Sequence, residues 1–268
     1  MKIHFFKYQA TGNDFIILDN RNGGIALSQE QIVKLCDRRF GIGADGLMLI
    51  EKHPSLNFNL EYFNSDGSQS LCGNGSRAAV DFASRLGMVN GKATFNAYDG
   101  THSGELLPAG IVRLKMNDVQ GVKQIGQDFF INTGSPHVIR FVNDIQNYPV
   151  FEEGRKIRYS DTYSPGGTNV NFVEQTEPDT IFVRTYERGV ENETLSCGTG
   201  VTAAALAMFF KNSRSPVAVH TRGGDLSVTF RHVGDDNGAG STSGQVGAFQ
   251  DIFLTGPAKM VFEGDLEL

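Results

Sequence analysis

Two of the three cysteines in this chain stand in nearly the same words: Cys72 opens "CGNGSRAA" and Cys197 opens "CGTGVTAA". Each thiol precedes a glycine-rich turn and then an alanine-rich run that reads as a helix. A cysteine at a helix start sits beside backbone N–H groups that lack intrahelical acceptors. It also sits at the positive end of the helix dipole, equivalent to about half a unit charge. Both effects favour the thiolate and lower the thiol pKa from its free value of about 8.5. The glycines allow close approach of backbone to a ligand, and the same N–H groups form a cradle for an anion. Two such cradles gripping one carboxylate would set a sulfur on each face of its α-carbon. Inversion of a stereocentre by proton transfer needs that arrangement, with a base on one face and an acid on the other. Thiolate and thiol serve as this pair, exchanging roles with the hand of the substrate and titrating as a coupled system. With no Schiff-base cofactor evident, exclusion of water and preorganised N–H donors must stabilise the developing aci-carboxylate. The alternative is two small buried hydrophobes, which describes most free cysteines. The matched settings favour function for Cys72 and Cys197, whereas Cys36, expected in mid-helix, reads as core.

The elements that must position these thiols are written twice. "ATGNDFII" (10–17) is echoed by "NTGSPHVI" (132–139), and "GIGADGLMLIE" (41–51) by "GGTNVNFVE" (166–174). Gly12 and Gly134 are 122 residues apart, Cys72 and Cys197 125, so order and spacing agree. This predicts an internal duplication with two α+β halves, residues 1–118 carrying Cys72 and 119–257 carrying Cys197. Helices are expected in "SQEQIVKLCDRRF" (28–40), "SRAAVDFASRLGM" (76–88) and "TAAALAMFFKN" (202–212). The first opens with a capping-box pattern from Ser28 to Gln31 and puts Ile32, Leu35 and Cys36 on one face. Alternating runs such as "GIVRLKMNDV", "TIFVRTYE" and "LSVTFRHV" read as strands. Residues 234–247, "GDDNGAGSTSGQVG", read as a mobile hairpin tip without chemistry. "GIGADG" (41–46) matches G-x-G-x-x-G, but a dinucleotide site needs a strand before it and a helix after it. Here that order is reversed, so a turn is the better reading.

Composition narrows the class. A chain of 268 residues with 40% hydrophobic and 20% charged content is long enough for two globular domains with a sizeable core. A net charge of −6 without a basic stripe argues against nucleic acid as a partner. The longest apolar run, "VTAAALAMFF", is too short to span a bilayer. No secretory signal is read in the first residues, and three cysteines without CxxC spacing suggest neither a disulfide framework nor a zinc site. The expectation is a cytoplasmic enzyme with reduced thiols, no metal and a small-molecule substrate.

Other polar residues fall at element ends. Glu187 and Arg188 close a strand shortly before Cys197; they form either a surface ion pair or, for an amino-acid substrate, an ammonium acceptor and a fork for a second carboxylate. Asn13, Asn64 and Asn169 lie in Gly-rich turns, where asparagine is common for conformational reasons alone. His137 either tunes a nearby thiol or satisfies a turn.

These phrases together, with "CDRRFGIGADGL", "FNSDGS", "TYERG" and the closing "LTGPAKMVFEG", resemble the diaminopimelate epimerase family through most of the chain. The resemblance implies an α+β fold of two pseudo-symmetric domains, each a barrel-like sheet around a central helix, with the active site in the cleft between them. It also implies a homodimer, and a C-terminal tail, 258–268, that returns to the first domain. The implied activity is cofactor-independent interconversion of LL- and meso-2,6-diaminopimelate in lysine and peptidoglycan precursor biosynthesis. Carried over by position, Cys72 and Cys197 are the acid/base thiols, and Gly73, Asn74, Gly198 and Thr199 form the carboxylate cradle. Glu187 and Asn64 match groups near the reacting ammonium. Arg188, Asn64, Asn169 and Asn13 match those reading the distal end, and His137 and Glu187 match modulators of thiol pKa. Two departures touch that distal end: Ser135 replaces an asparagine in "GSPH", and Gly46 stands where many members have glutamine. The competing readings are a proline or hydroxyproline racemase-like enzyme, whose small substrate would leave Arg188 and the asparagines unused, and a non-catalytic amino-acid-binding module. Phenazine-type isomerases of similar architecture do not rely on such a cysteine pair.

Overall fold

The computed structural model describes residues 2–233 and 245–267, so 234–244 of the expected hairpin tip lie outside the described residues. The chain forms two compact units, residues 1–114 with 256–268, and residues 115–255.

In the first unit β1 (Lys2–Ala10) and β2 (Asn13–Asp19) form an antiparallel hairpin. Its two-residue turn, Thr11-Gly12, has φ values of 50° and 82°, the mirror-image turn that matches the twist of the strands. α1 (Gln29–Cys36) then crosses to β3 (Gly46–Glu51), which lies parallel to β2 and antiparallel to β4 (Phe58–Asn64). A second crossover, α2 (Gly73–Arg85), leads to β5 (Lys92–Ala97), parallel to β4; β6 (Gly100–Leu107) and β7 (Ile111–Lys115) follow antiparallel.

The second unit repeats this order. β8 (Val122–Ile125), β9 (Asp128–Asn132) and β10 (Pro136–Phe141) are successive antiparallel strands. α3 (Val150–Arg158) crosses to β11 (Asn169–Glu177), parallel to β10, and β12 (Thr180–Glu187) returns antiparallel. The short β13 (Asn192–Thr194) pairs with β12; α4 (Gly198–Met208) then crosses to β14 (Val217–Thr221), parallel to β12. β15 (Gly224–Val233) follows, β16 (Gln245–Val246) pairs with β8, and β17 (Ala248–Pro257) pairs with β15. Finally β18 (Lys259–Glu267) runs antiparallel to β1 and completes the first unit.

Each unit wraps its sheet around one helix. α2 packs on β1, β2, β3, β4 and β6, and α4 on β9, β10, β11, β12, β14 and β15. Both are buried nearly all round, Asn74–Ala83 and Gly200–Met208 without a break, as a helix surrounded by sheet must be. α1 and α3 lie outside. The two-residue period of β3 shows the two layers: Leu47 and Leu49 join Ile32, Leu35 and Cys36 beside α1, whereas Met48 meets Gly75 of α2.

The helix ends differ from expectation. α1 stops at Cys36, because the Asp37 side chain accepts from the N–H groups of Arg39 and Phe40, both at 2.7 Å, and turns the chain away. Cys36 is therefore its last residue, not a mid-helix one. α2 and α4 start earlier than 76 and 202, since both take in the glycine-rich turns; burial outweighs the poor helix propensity of glycine there. α3 is not anticipated by the sequence reading. It buries Val150, Gly154 and Ile157, but Pro149 occupies the place of a side-chain cap, so the usual start signal is missing.

The capping box of α1 is complete, with Gln31 N–H donating to Ser28 Oγ and Ser28 N–H to Gln31 Oε1. Ser28→Ala should lower stability by about 1 kcal/mol, read as a lower urea midpoint at unchanged slope.

Candidate active site

Cys72 is the N-cap of α2 and Cys197 the N-cap of α4, with nearly identical backbone angles, φ −124° and −118°. In both, the first-turn N–H groups face outward from the helix end without intrahelical acceptors.

Around Cys72 the geometry is set by a charged cluster. Asp14 accepts from Arg38 at 2.6 Å and from Lys7 at 2.7 Å, and Arg38 also reaches Asp45 at 2.7 Å. Lys7 further donates to the Gly43 carbonyl. Burial acts to raise the Asp14 carboxyl, but hydrogen bonds from Arg38 and Lys7 outweigh it and hold the group well below the usual carboxylate range. Asn13 donates through Nδ2 to Asp45 at 2.7 Å, and a carboxylate only accepts, so the Asn13 carbonyl oxygen must point the other way. That oxygen lies 3.5 Å from Cys72 Sγ and 3.4 Å from Asn74 Nδ2. Gly75 N–H approaches the same sulfur at 3.4 Å. Cys36 is different: burial pushes its thiol up to about 11.

Around Cys197 the polar network is buried and neutral. His137 is fully buried, and burial first, then the charge of Arg188, push it down to about 3, so the imidazole is uncharged at neutral pH. Its tautomer follows from Asn171. The Asn171 nitrogen donates to the Val138 carbonyl at 3.0 Å, so it is also the donor to His137 Nδ1 at 3.1 Å. The proton is therefore on Nε2, which lies 2.9 Å from both Ser135 Oγ and Thr199 Oγ1. Thr199 Oγ1 in turn lies 3.5 Å from Cys197 Sγ. A continuous chain of hydrogen bonds thus runs from Asn171 through His137 and Thr199 to the thiol. Gly200 is obligatory here, because a Cβ would fall 2.3 Å from Asn171 Oδ1.

The remaining sequence-derived candidates divide. Ser135, His137, Asn169 and Thr199 are brought together, with Asn169 Nδ2 donating to Pro136 O at 2.9 Å and Ser135 Oγ at 3.3 Å. Asn169 Oδ1 accepts from Arg188 N–H at 2.9 Å, so this amide joins the ends of three strands. The Arg188 guanidinium reaches Gly166 O at 3.2 Å, and Glu187 accepts from Thr194 Oγ1 at 2.8 Å. Asn64 is held within its own turn by Ser68 and Ser70. Gly73 and Gly198 open their helices, and Gly198 O accepts from Thr202. Asn171 and Asp45 were not singled out from the sequence; the signal for Asn171 was its place two residues beyond Asn169 on the same strand face. Among the described residues no cluster of His, Cys, Asp or Glu has the makings of a metal site, and no helix is long and apolar enough to cross a membrane.

Both departures have a structural account. Ser135 turns into the His137–Thr199 network. At Gly46 a Cβ would lie 2.6 Å from the Tyr62 ring and 2.8 Å from Phe63 O, so Tyr62 fills the place a longer side chain would need. Gly46→Gln should cost about 1–3 kcal/mol, and combination with Tyr62→Ala should cost less than the sum of the single changes in urea melts. His137 gives a pH dependence. The unfolded chain binds a proton near pH 6.5 that the folded one refuses, so stability is flat above that pH. It falls by up to about 1.4 kcal/mol per unit as pH drops below it. His137→Gln should flatten that limb in melting temperatures taken from pH 4 to 8.

The family model described as diaminopimelate epimerase matches residues 5–122 and again 129–246, one match per repeat. The diaminopimelate epimerase of Flavobacterium psychrophilum is 47% identical over 262 residues, covering 96% of this chain and 98% of that one. Among solved structures, a phenazine biosynthesis protein of the PhzF family from Bacillus anthracis superposes with TM-score 0.74 at 15% identity, covering 100% of both chains. A probable proline racemase from Agrobacterium radiobacter gives 0.68 at 14%, covering 99% of this chain and 93% of that one. Those two likenesses establish the fold, an α+β duplication. The full-length similarity and the doubled family match establish more: the chain is an isomerase of the racemase and epimerase class and belongs to the diaminopimelate epimerase family.

Proposed function

We propose that the chain interconverts LL- and meso-2,6-diaminopimelate without a cofactor, by proton transfer between Cys72 and Cys197 at the substrate α-carbon. The observation that carries this reading is the recurrence of one device: a cysteine at the N-cap of a buried helix, followed at once by glycine, in both repeats. One cysteine, as thiolate, removes the α-proton while the other, as thiol, delivers a proton to the opposite face. The first-turn N–H groups of Gly73, Asn74, Gly198 and Thr199 receive the charge that develops on the carboxylate. Glu187 and Asn64 accept from the reacting ammonium. Arg188, Asn13, Asn64 and Asn169, with Ser135, serve the distal end, Asn169 acting by fixing the Arg188 backbone. His137 tunes Cys197 through Thr199, and Glu187 contributes to thiol tuning. The working domains are 1–118 with 258–268, and 119–257, in a homodimer acting in the cytoplasm within lysine and peptidoglycan precursor synthesis.

A proline-type substrate is disfavoured by Arg188, which would have no distal carboxylate to meet, and a mere binding module by the presence of both thiols. The reduced protein, given LL-diaminopimelate in deuterated water, should exchange the α-proton and form the meso isomer by NMR. Cys72→Ala and Cys197→Ala should each lose at least about a thousandfold in turnover while still binding substrate. Full turnover by either variant would end the two-thiol mechanism; no exchange by the wild type would redirect the search to proline derivatives.

A further inference from the structure

Arg77 lies on α2 five residues after Cys72, with 0% of its surface exposed. Its Nη2 donates to Thr11 Oγ1 at 3.1 Å, but Nε and Nη1 meet no hydrogen-bond partner among the described residues. Arginine is almost never buried completely unless it is paired, because an isolated charge in a protein interior is costly. Burial pushes this guanidinium down to about 10, which leaves it charged at neutral pH, and the charge that bears on it is that of Cys72.

Other charges on the elements around α2 are paired among themselves. Lys7 holds Asp14 at 2.7 Å, Arg85 holds Asp81 at 3.0 Å, and Arg113 lies 3.8 Å from Glu105. Glu51 and Glu61 share the face of β3 and β4 that carries Leu49, away from Met48 and α2. Of the contacts described at Cys72 Sγ, the Gly75 N–H favours the thiolate and the Asn13 carbonyl favours the thiol, so the two oppose each other. The second repeat lacks the cation at this place. Five residues after Cys197 stands Thr202, equally buried, whose hydroxyl donates back to Gly198 O at 2.9 Å.

We propose that Arg77 is a positioning residue for Cys72: a buried cation on the same helix, short of hydrogen-bond partners, whose counter-charge is the Cys72 thiolate. It acts through the thiol and does not touch substrate. The proposal deepens the two-thiol reading above and rests on it for its biological meaning. Its test, however, needs no turnover.

The test follows the alkylation rate of Cys72 by iodoacetamide against pH in the Cys197→Ser protein, with mass spectrometry to locate the adduct. Cys36 is buried with a high pKa and serves as an internal control. Arg77→Met should move the midpoint up by about one to two pH units, the size expected on losing a nearby opposite charge. Arg77→Lys should restore most of the shift. An unmoved midpoint in folded Arg77→Met overturns the proposal. If that variant does not fold, Arg77→Gln decides by the same profile: a raised midpoint supports the proposal and an unmoved one ends it. A raised midpoint together with failed diaminopimelate exchange would leave Arg77 in its role and defeat the substrate reading instead.

Discussion

A helix enclosed by its own sheet has no face left to water, so every side chain on it must fit the space the strands leave. That constraint shapes both repeats. α2 and α4 are rich in glycine, alanine, serine and threonine, and the close approach at Gly200, against Asn171, shows how little space there is. Enclosure also removes water from the helix flanks. The first-turn N–H groups then act in surroundings of low polarity, where a dipole is worth more than on a wet surface. Cysteine, a small and soft side chain, caps both of these enclosed helices.

The two repeats hold their thiols by different means. In the first, ionic contacts among Lys7, Asp14, Arg38 and Asp45 fix an amide, and Asn13 presents a carbonyl to the sulfur. In the second, an uncharged chain from Asn171 through His137 and Thr199 presents a hydroxyl. Duplication supplied the same backbone twice, and divergence changed the side chains that tune it.

Much of this was legible in the sequence because it is local. A capping box, a Thr-Gly turn and a cysteine ahead of a helix each act over a few residues, and all three are present, though α2 and α4 open on the glycines instead of after them. What escaped notice depends on tertiary contacts. Arg77, inside "SRAA", reads like any solvent-facing helix arginine until the sheet closes over it. Asn171 reads as a strand residue until the parallel register of β10 and β11, which sets it opposite Ile139, brings its amide within 3.1 Å of His137 Nδ1. α3 lacks a polar cap and shows itself only once Val150 and Ile157 join the core beside Val170 and Phe172 and Tyr186 packs against Gly154. The inward turn of Ser135 and the filling of the Gly46 site by Tyr62 are likewise visible only in three dimensions.

The pairing of β18 with β1 has a bearing on how the chain is made. The unit of residues 115–255 is continuous, so a growing chain holds all its strands before synthesis reaches residue 259. The unit that carries Cys72 is not continuous: one edge of β1 stays open until residues 259–267 arrive. Domains generally fold as units during synthesis, and an open edge invites wrong partners. Vectorial synthesis therefore favours the second repeat maturing first, with the first repeat closing last around its own beginning.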